Sequence, residues 1–138
     1  MKNEDFIRDL NVILKIEYGA VLQYVLHSQR LMKKGKKKEA DKLLSFLNDE
    51  IRHAEALAEK IKILGGKPTK GAKWIQSDDD FITMLNVNLD SEKESIKVYE
   101  KLIKTTEKQN LKGLNILLRD QLADEIEHAK QLQKYLGK

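Results

Sequence analysis

The chain has 138 residues, a formal net charge of +4, one proline and no cysteine. That length suits one domain with a sizeable core, and the missing thiols exclude a disulfide framework, a thiolate zinc site and a Cys-held iron–sulfur centre. No apolar run is long enough to cross a bilayer and Met1-Lys2-Asn3-Glu4 does not begin a signal peptide, so a cytoplasmic, membrane-free protein is expected.

Lys, Glu, Leu and Ala dominate with a helical period, which predicts an all-α protein. The first helix is expected over about residues 4–34, with an inner seam Leu10, Leu14, Glu17, Val21, Tyr24. Glu17 stands where a Leu would serve the core, and Gly35 closes the helix. The second helix follows at once, over about 36–64, with seam Leu43, Leu47, Glu50, Ala54, Leu57, Ile61 and His53 beside Glu50. A turn this short makes the two helices antiparallel neighbours and brings Glu17 nearly level with Glu50.

The Gly65-Gly66-Lys67-Pro68 stretch stops helix 2 and opens a connection expected to end near Ser77, with Trp74 packing it onto the bundle. Thirteen residues reach ~43–47 Å when extended. That matches the ~42 Å of a 28-residue helix, so the connection can run the bundle's length and give an up-down-down-up order. The third helix is expected from Ser77, with Asp78, Asp79 and Asp80 in its first turn and seam Leu85, Leu89, Glu92, Ile96, Tyr99, Ile103. Asn110 takes the turn position of Gly35. The fourth helix is expected over about 111–136, with seam Leu118, Leu122, Glu125, Ala129, Leu132 and His128 alongside. The predicted architecture is an antiparallel four-helix bundle with one long crossover between helices 2 and 3.

Asp49-Glu50-Ile51-Arg52-His53 returns as Asp124-Glu125-Ile126-Glu127-His128, 75 residues later. The same offset lays residues 1–63 over 76–138 without a gap. It pairs Phe6 with Phe81, Leu10 with Leu85, Glu17 with Glu92, Tyr24 with Tyr99 and Leu57 with Leu132, among many more identities than the roughly four that chance would give. Each half therefore reads as a helix pair, packed face to face with the other. Residues three apart share a helical face, so each Glu-x-x-His aims a carboxylate and an imidazole at one place.

Four glutamates and two histidines thus fall at one level of the core. Buried carboxylates must be paired or metal-bound, and metal is the simplest partner for four of them together. A mixed O/N set without thiolate suits two Fe ions, or Mn, better than structural zinc, and Mg or Ca would not require the imidazoles. Symmetry suggests Glu17 and His53 on one ion, Glu92 and His128 on the other, and Glu50 and Glu125 bridging. Metal-bound His usually donates its other N–H to a carboxylate, so Asp124 is expected at His53 and Asp49 at His128. Tyr24 and Tyr99 either hydrogen-bond a ligand carboxylate or pack in the core.

The lysines at 33, 34, 36, 37 and 38, and at 67, 70 and 73, read as solvated connections rather than a nucleic-acid surface, since no aromatic is interleaved among them. An outer stripe of Tyr18, Leu22 and Val25, with Ile51 on helix 2, is a candidate subunit interface.

The run Glu17-Tyr18-Gly19-Ala20-Val21-Leu22-Gln23-Tyr24 with Leu26-His27, then Asp49-Glu50-Ile51-Arg52-His53-Ala54, Glu92 and Asp124-Glu125-Ile126-Glu127-His128, resembles the ferritin-like superfamily and bacterioferritin in particular. The resemblance covers nearly the whole chain. It implies a ferroxidase centre in which Fe(II) is oxidised by O₂ or H₂O₂, for iron storage or detoxification. Two departures alter what it implies. Bacterioferritin carries a haem-ligating Met directly after the first-motif Glu, where this chain has Ile51, so no haem is expected. The sequence stops at the end of helix 4, before the short fifth helix of the large bacterioferritin shell, so a dimer or smaller shell is an expected assembly. The alternative on the same scaffold is a rubrerythrin-like peroxidase or manganese catalase. A metal-free interaction module and a DNA-binding mini-ferritin fit less of the sequence.

Overall fold

The computed structural model describes residues 2–73 and 80–137. Four helices make up the described chain: α1 Lys2–Lys33, α2 Lys37–Ile63, α3 Phe81–Lys108 and α4 Lys112–Tyr135. The fold is an all-α four-helix bundle, as the periodicity predicts. Three of the four helices begin and end within two residues of the sequence expectation.

Helix α3 is the exception, and its start is corrected. It begins at Phe81, with Asp80 as its cap rather than as part of a first turn opened by Ser77. Asp80 has an extended backbone, and its side chain accepts the Thr83 N–H at 2.9 Å and the Thr83 hydroxyl at 2.9 Å. One carboxylate thereby satisfies a donor that the helix start would otherwise leave open. Trp74, Ser77, Asp78 and Asp79, to which the sequence assigned an anchor and a cap, lie outside the described residues.

The turns between paired helices follow one scheme. Gly35 (φ 76°) ends α1 and Asn110 (φ 57°) ends α3, both in the left-handed region. Past each of them the chain folds back, Lys36 N–H to Leu31 O and Leu111 N–H to Thr106 O, both at 2.9 Å. This closes the last helical carbonyls in a Schellman arrangement, and Asn is the non-glycine residue that best tolerates the geometry.

Cross-helix contacts fix the order of directions. Tyr24 meets Glu92 while Tyr99 meets Glu17, so α1 and α3 run antiparallel. The short turn makes α1 and α2 antiparallel too. Helices α2 and α3 are therefore parallel, and the chain between them must travel the length of the bundle. Its described part lies along α1. The Asn11 side chain donates to Lys67 O at 3.0 Å and accepts from Thr69 N–H at 2.8 Å, and Lys73 N–H reaches Lys15 O at 2.9 Å. At Gly19 the Lys73 carbonyl lies where a Cβ would stand, 2.1 Å away. Glycine at 19 is what lets the crossover lie against the helix.

The core is divided in two by the polar level between. One apolar cluster contains Phe6, Leu10, Leu14, Leu57, Leu102 and Leu118; the other contains Leu31, Leu43, Phe46, Met84, Leu85 and Leu132. Each such side chain contributes about 1.5–3 kcal/mol on burial. Two apolar plugs of this kind hold the helices closed around a site that would otherwise push them apart.

Candidate metal centre

The structure brings together all six residues, the two Glu-x-x-His pairs with Glu17 and Glu92. Glu17 comes from the middle of α1, Glu92 from the middle of α3, and the two Glu/His pairs from α2 and α4. None is more than 2% exposed. They are in place because helical seams that are otherwise Leu, Ile and Ala carry them inward.

Each imidazole is held at both ends. The Nδ1 atom of His53 lies 2.9 Å from Glu17 Oε2 and 3.2 Å from Glu50 Oε1; that of His128 lies 3.0 Å from Glu92 Oε2 and 3.3 Å from Glu125 Oε1. The outward Nε2 atoms contact the aspartate of the opposite helix, His53 with Asp124 at 2.9 Å and His128 with Asp49 at 2.8 Å. With Nε2–H donated to Asp, Nδ1 is the nitrogen that faces the carboxylates and that a metal would take once its proton leaves. Arg52 bonds Asp49 and stands 3.9 Å from Asp124, tying α2 to α4 over the site.

Both tyrosines reach across the bundle rather than along their own helix. Tyr24 donates to Glu92 Oε2 and Tyr99 to Glu17 Oε2, each at 2.5 Å. The Gln121 amide lies 2.9 Å from the Tyr99 hydroxyl. The Gln121 atom there is Oε1, so the single phenolic proton faces two acceptors, of which the Glu17 carboxylate is the stronger.

Six carboxylate oxygens remain buried without a hydrogen bond: Glu17 Oε1, Glu92 Oε1 and both oxygens of Glu50 and of Glu125. Leaving them so is costly. In the absence of metal the cluster holds protons instead. Burial, then the nearby Glu17 and Glu92 charges, push the Glu50 carboxyl well up, and burial with Glu17 and Glu50 does the same to Glu125. Burial pulls His53 down, but the facing carboxylates of Glu17, hydrogen-bonded to it, and of Glu50 outweigh it and raise it to about 11. His128 is raised to about 9 against the same burial effect, mainly by Glu92.

The donor atoms form two overlapping sets, Glu17–Glu50–His53–Glu125 and Glu50–Glu92–Glu125–His128, each with one atom per residue within 4.8 Å of the others. Glu50 and Glu125 belong to both. Four carboxylates balance the charge of two divalent cations, and the donors are the hard oxygens and imidazole nitrogens that such ions of the first transition row accept.

Sequence reasoning missed three features. Phe46 stacks on His128, with centroids 4.2 Å apart, and its counterpart 75 residues on is Gln121. Both sit four residues before a motif Glu, on its face of the helix, so this break in the repeat was open to inspection. His27 is buried between the amides of Gln23 (2.8 Å) and Asn88 (2.9 Å), one turn of α3 beyond Glu92. Burial and the Arg30 charge pull His27 down to about 4, against the Asn88 bond, so it stays neutral. Gly19 carries the crossover, a role that only a tertiary contact reveals.

The comparisons with known proteins agree with this geometry. The profile of the ferritin-like domain matches residues 7–138. A bacterial ferritin of Neisseria meningitidis is 29% identical over 135 residues, covering 97% of this chain and 88% of its own length. A bacterioferritin of Mycobacterium leprae is 31% identical over 135 residues, covering 96% and 84%. A crystal structure from Bacillus anthracis, described as a ferritin-like diiron-carboxylate protein, superposes with a TM-score of 0.94 at 33% identity, covering 99% of this chain and 98% of its own.

Proposed function

The chain belongs to the ferritin-like family, and from that premise we propose that it is a di-iron carboxylate ferroxidase, oxidising Fe(II) with O₂ or H₂O₂ for iron storage or detoxification. The observation that carries the reading is the set of six unpartnered carboxylate oxygens in two overlapping ligand groups. Glu17 and His53 would hold one ion, Glu92 and His128 the other, and Glu50 and Glu125 would bridge. Bound Fe(II) supplies the electrons that reduce the oxidant.

The protein's own part is to bind, orient and exclude water. Asp124 and Asp49 fix the imidazole tautomers. Tyr99 and Tyr24 pin one oxygen each of Glu17 and Glu92, leaving the other free to ligate. The two apolar plugs keep the ions out of bulk solvent. Iron is the substrate here; a rubrerythrin-like peroxidase or a manganese catalase on the same scaffold, with peroxide as substrate, is the alternative.

A second copy of the chain is the expected partner. Leu22 on α1 and Ile51 on α2 are 43% and 41% exposed, and Tyr18 and Val25 on α1 are half-buried. Ile51 offers no sulfur to a haem iron. Among the described residues no helix is long and apolar enough to cross a membrane, and a cytoplasmic setting is part of the same proposal.

Aerobic Fe(II) loading combined with light scattering tests the reading. Iron retained as ferric mineral in an oligomer supports storage. Sustained peroxide turnover beyond the stoichiometry of bound metal, with no mineral, selects the peroxidase or catalase alternative.

A further inference from the structure

The two halves of the centre have equivalent ligands but different walls. Beside His53 a cleft of about 280 Å³ opens to the surface, lined by Arg52, Ala56, Leu117, Asp120, Gln121 and Asp124. It reaches the buried His53 ring, and part of its wall is the Gln121 amide, 4% exposed and bonded to Tyr99. At the 75-residue counterpart of Gln121 stands Phe46, 3% exposed, flat against His128 at 27° and edge-on to Tyr24 at 5.8 Å.

A divalent cation cannot shed its water shell against a benzene ring without losing most of its solvation, whereas an amide can replace a water at each step. Formal charge does not separate the two ends. Arg52, Asp120 and Asp124 line the His53 cleft; the residues 75 positions away from these and from Leu117 are Glu127, Ser45, Asp49 and Lys42, so each set has two acids and one base. The difference lies in the wall itself, since an unpartnered buried glutamate oxygen waits at each end, Glu17 Oε1 at one and Glu92 Oε1 at the other.

We propose that divalent metal is admitted to the centre at its His53 end, through the Gln121 cleft, so that the Glu17–His53 position fills and exchanges first while Phe46 seals the Glu92–His128 position. The proposal rests on the di-metal reading above and adds a direction to it. Gln121 and Phe46 are positioning residues in this account, not ligands: one lines the way in and the other closes it. The second ion reaches its place from the first, across the bridging pair Glu50 and Glu125, which belong to both ligand sets.

Timed soaks of metal-free crystals with Co(II), a probe that does not turn over, would read this directly through anomalous scattering. Density rising first at Glu17 and His53, and later at Glu92 and His128, is the expected result. Equal growth at both, or growth first at His128, overturns the proposal while leaving the di-metal reading intact. No density at either position overturns both. In solution, mixing with Co(II) should give two binding phases. Phe46→Leu, which keeps an apolar side chain but removes the ring, should accelerate the slow phase, and Gln121→Phe should retard the fast one about tenfold, within the spread of association rates among variants of one site. Both variants should still bind two Co(II) per chain. Unchanged phases in folded variants would contradict the proposed route.

Discussion

The four clustered glutamates carry a charge that two bound divalent cations would balance. Replacing Glu50 and Glu125 together by Ala removes the two carboxylates shared by both ligand groups. The double variant should lose two-metal binding, read by equilibrium titration with Fe(II) or Co(II). Its metal-free form should melt no lower than the metal-free wild type, because a buried cluster of like charges has been taken away. Retention of two metals per chain would show the bridging assignment to be wrong. The raised groups set the pH dependence. His53, at about 11, and His128, at about 9, carry protons at neutral pH, and Glu50 and Glu125 are pushed in the same direction. Metal must displace those protons, so apparent affinity should rise as pH rises from 6 towards 9, with proton release in a weakly buffered titration. Affinity independent of pH over that window would contradict the protonation scheme. At this scale the sequence was highly legible, because the 75-residue offset places each Glu and His on a seam twice. It could not show that Tyr24 and Tyr99 reach across the bundle to the opposite glutamate, since both bonds depend on how α1 and α3 are staggered.

Among the elements, the helices were legible because each seam is long and regular, while the connections were less so. The start of α3 moved from Ser77 to Phe81. Three consecutive aspartates and a serine all satisfy helix-start preferences, and only the observed Asp80–Thr83 bonds decide among them. The crossover shows the same limit. Its length predicted that it could span the bundle, but nothing in the composition of residues 65–73 announced that it would lie on α1, or that Gly19 would receive it. Gly19→Ala places a methyl carbon 2.1 Å from the Lys73 carbonyl oxygen, and backbone on both sides leaves little room to adjust. The substitution should destabilise the protein by about 1–3 kcal/mol, as overpacked sites do. It should also render residues 65–73 more susceptible to proteolysis. A variant matching wild type in denaturant unfolding and in protease resistance would mean that the crossover is not held at this point.

For the whole molecule, the division of the core explains how so polar a centre is tolerated. Apolar clusters on either side supply the burial, and the level between them gives up stability for binding. Metal should therefore stabilise the fold, by about 3 kcal/mol per site at a hundredfold excess over Kd. Thermal unfolding with and without Co(II) should show a higher Tm with metal, and the gain should vanish in the Glu50→Ala/Glu125→Ala variant. A gain that persists there would place the metal elsewhere on the chain. The near-symmetry of the halves was visible in the sequence; the break at Phe46 and Gln121 was visible only as a mismatch, and the stacked ring at His128 and the cleft at His53 required the structure. The central claim is a two-iron centre that oxidises its metal. The most direct measurement is a stepwise aerobic Fe(II) titration, following ferric absorbance per addition. The account predicts a fast phase that saturates at two irons per chain and is absent from the Glu50→Ala/Glu125→Ala variant. Oxidation no faster than in protein-free buffer, or a fast phase that survives the double substitution, would contradict it.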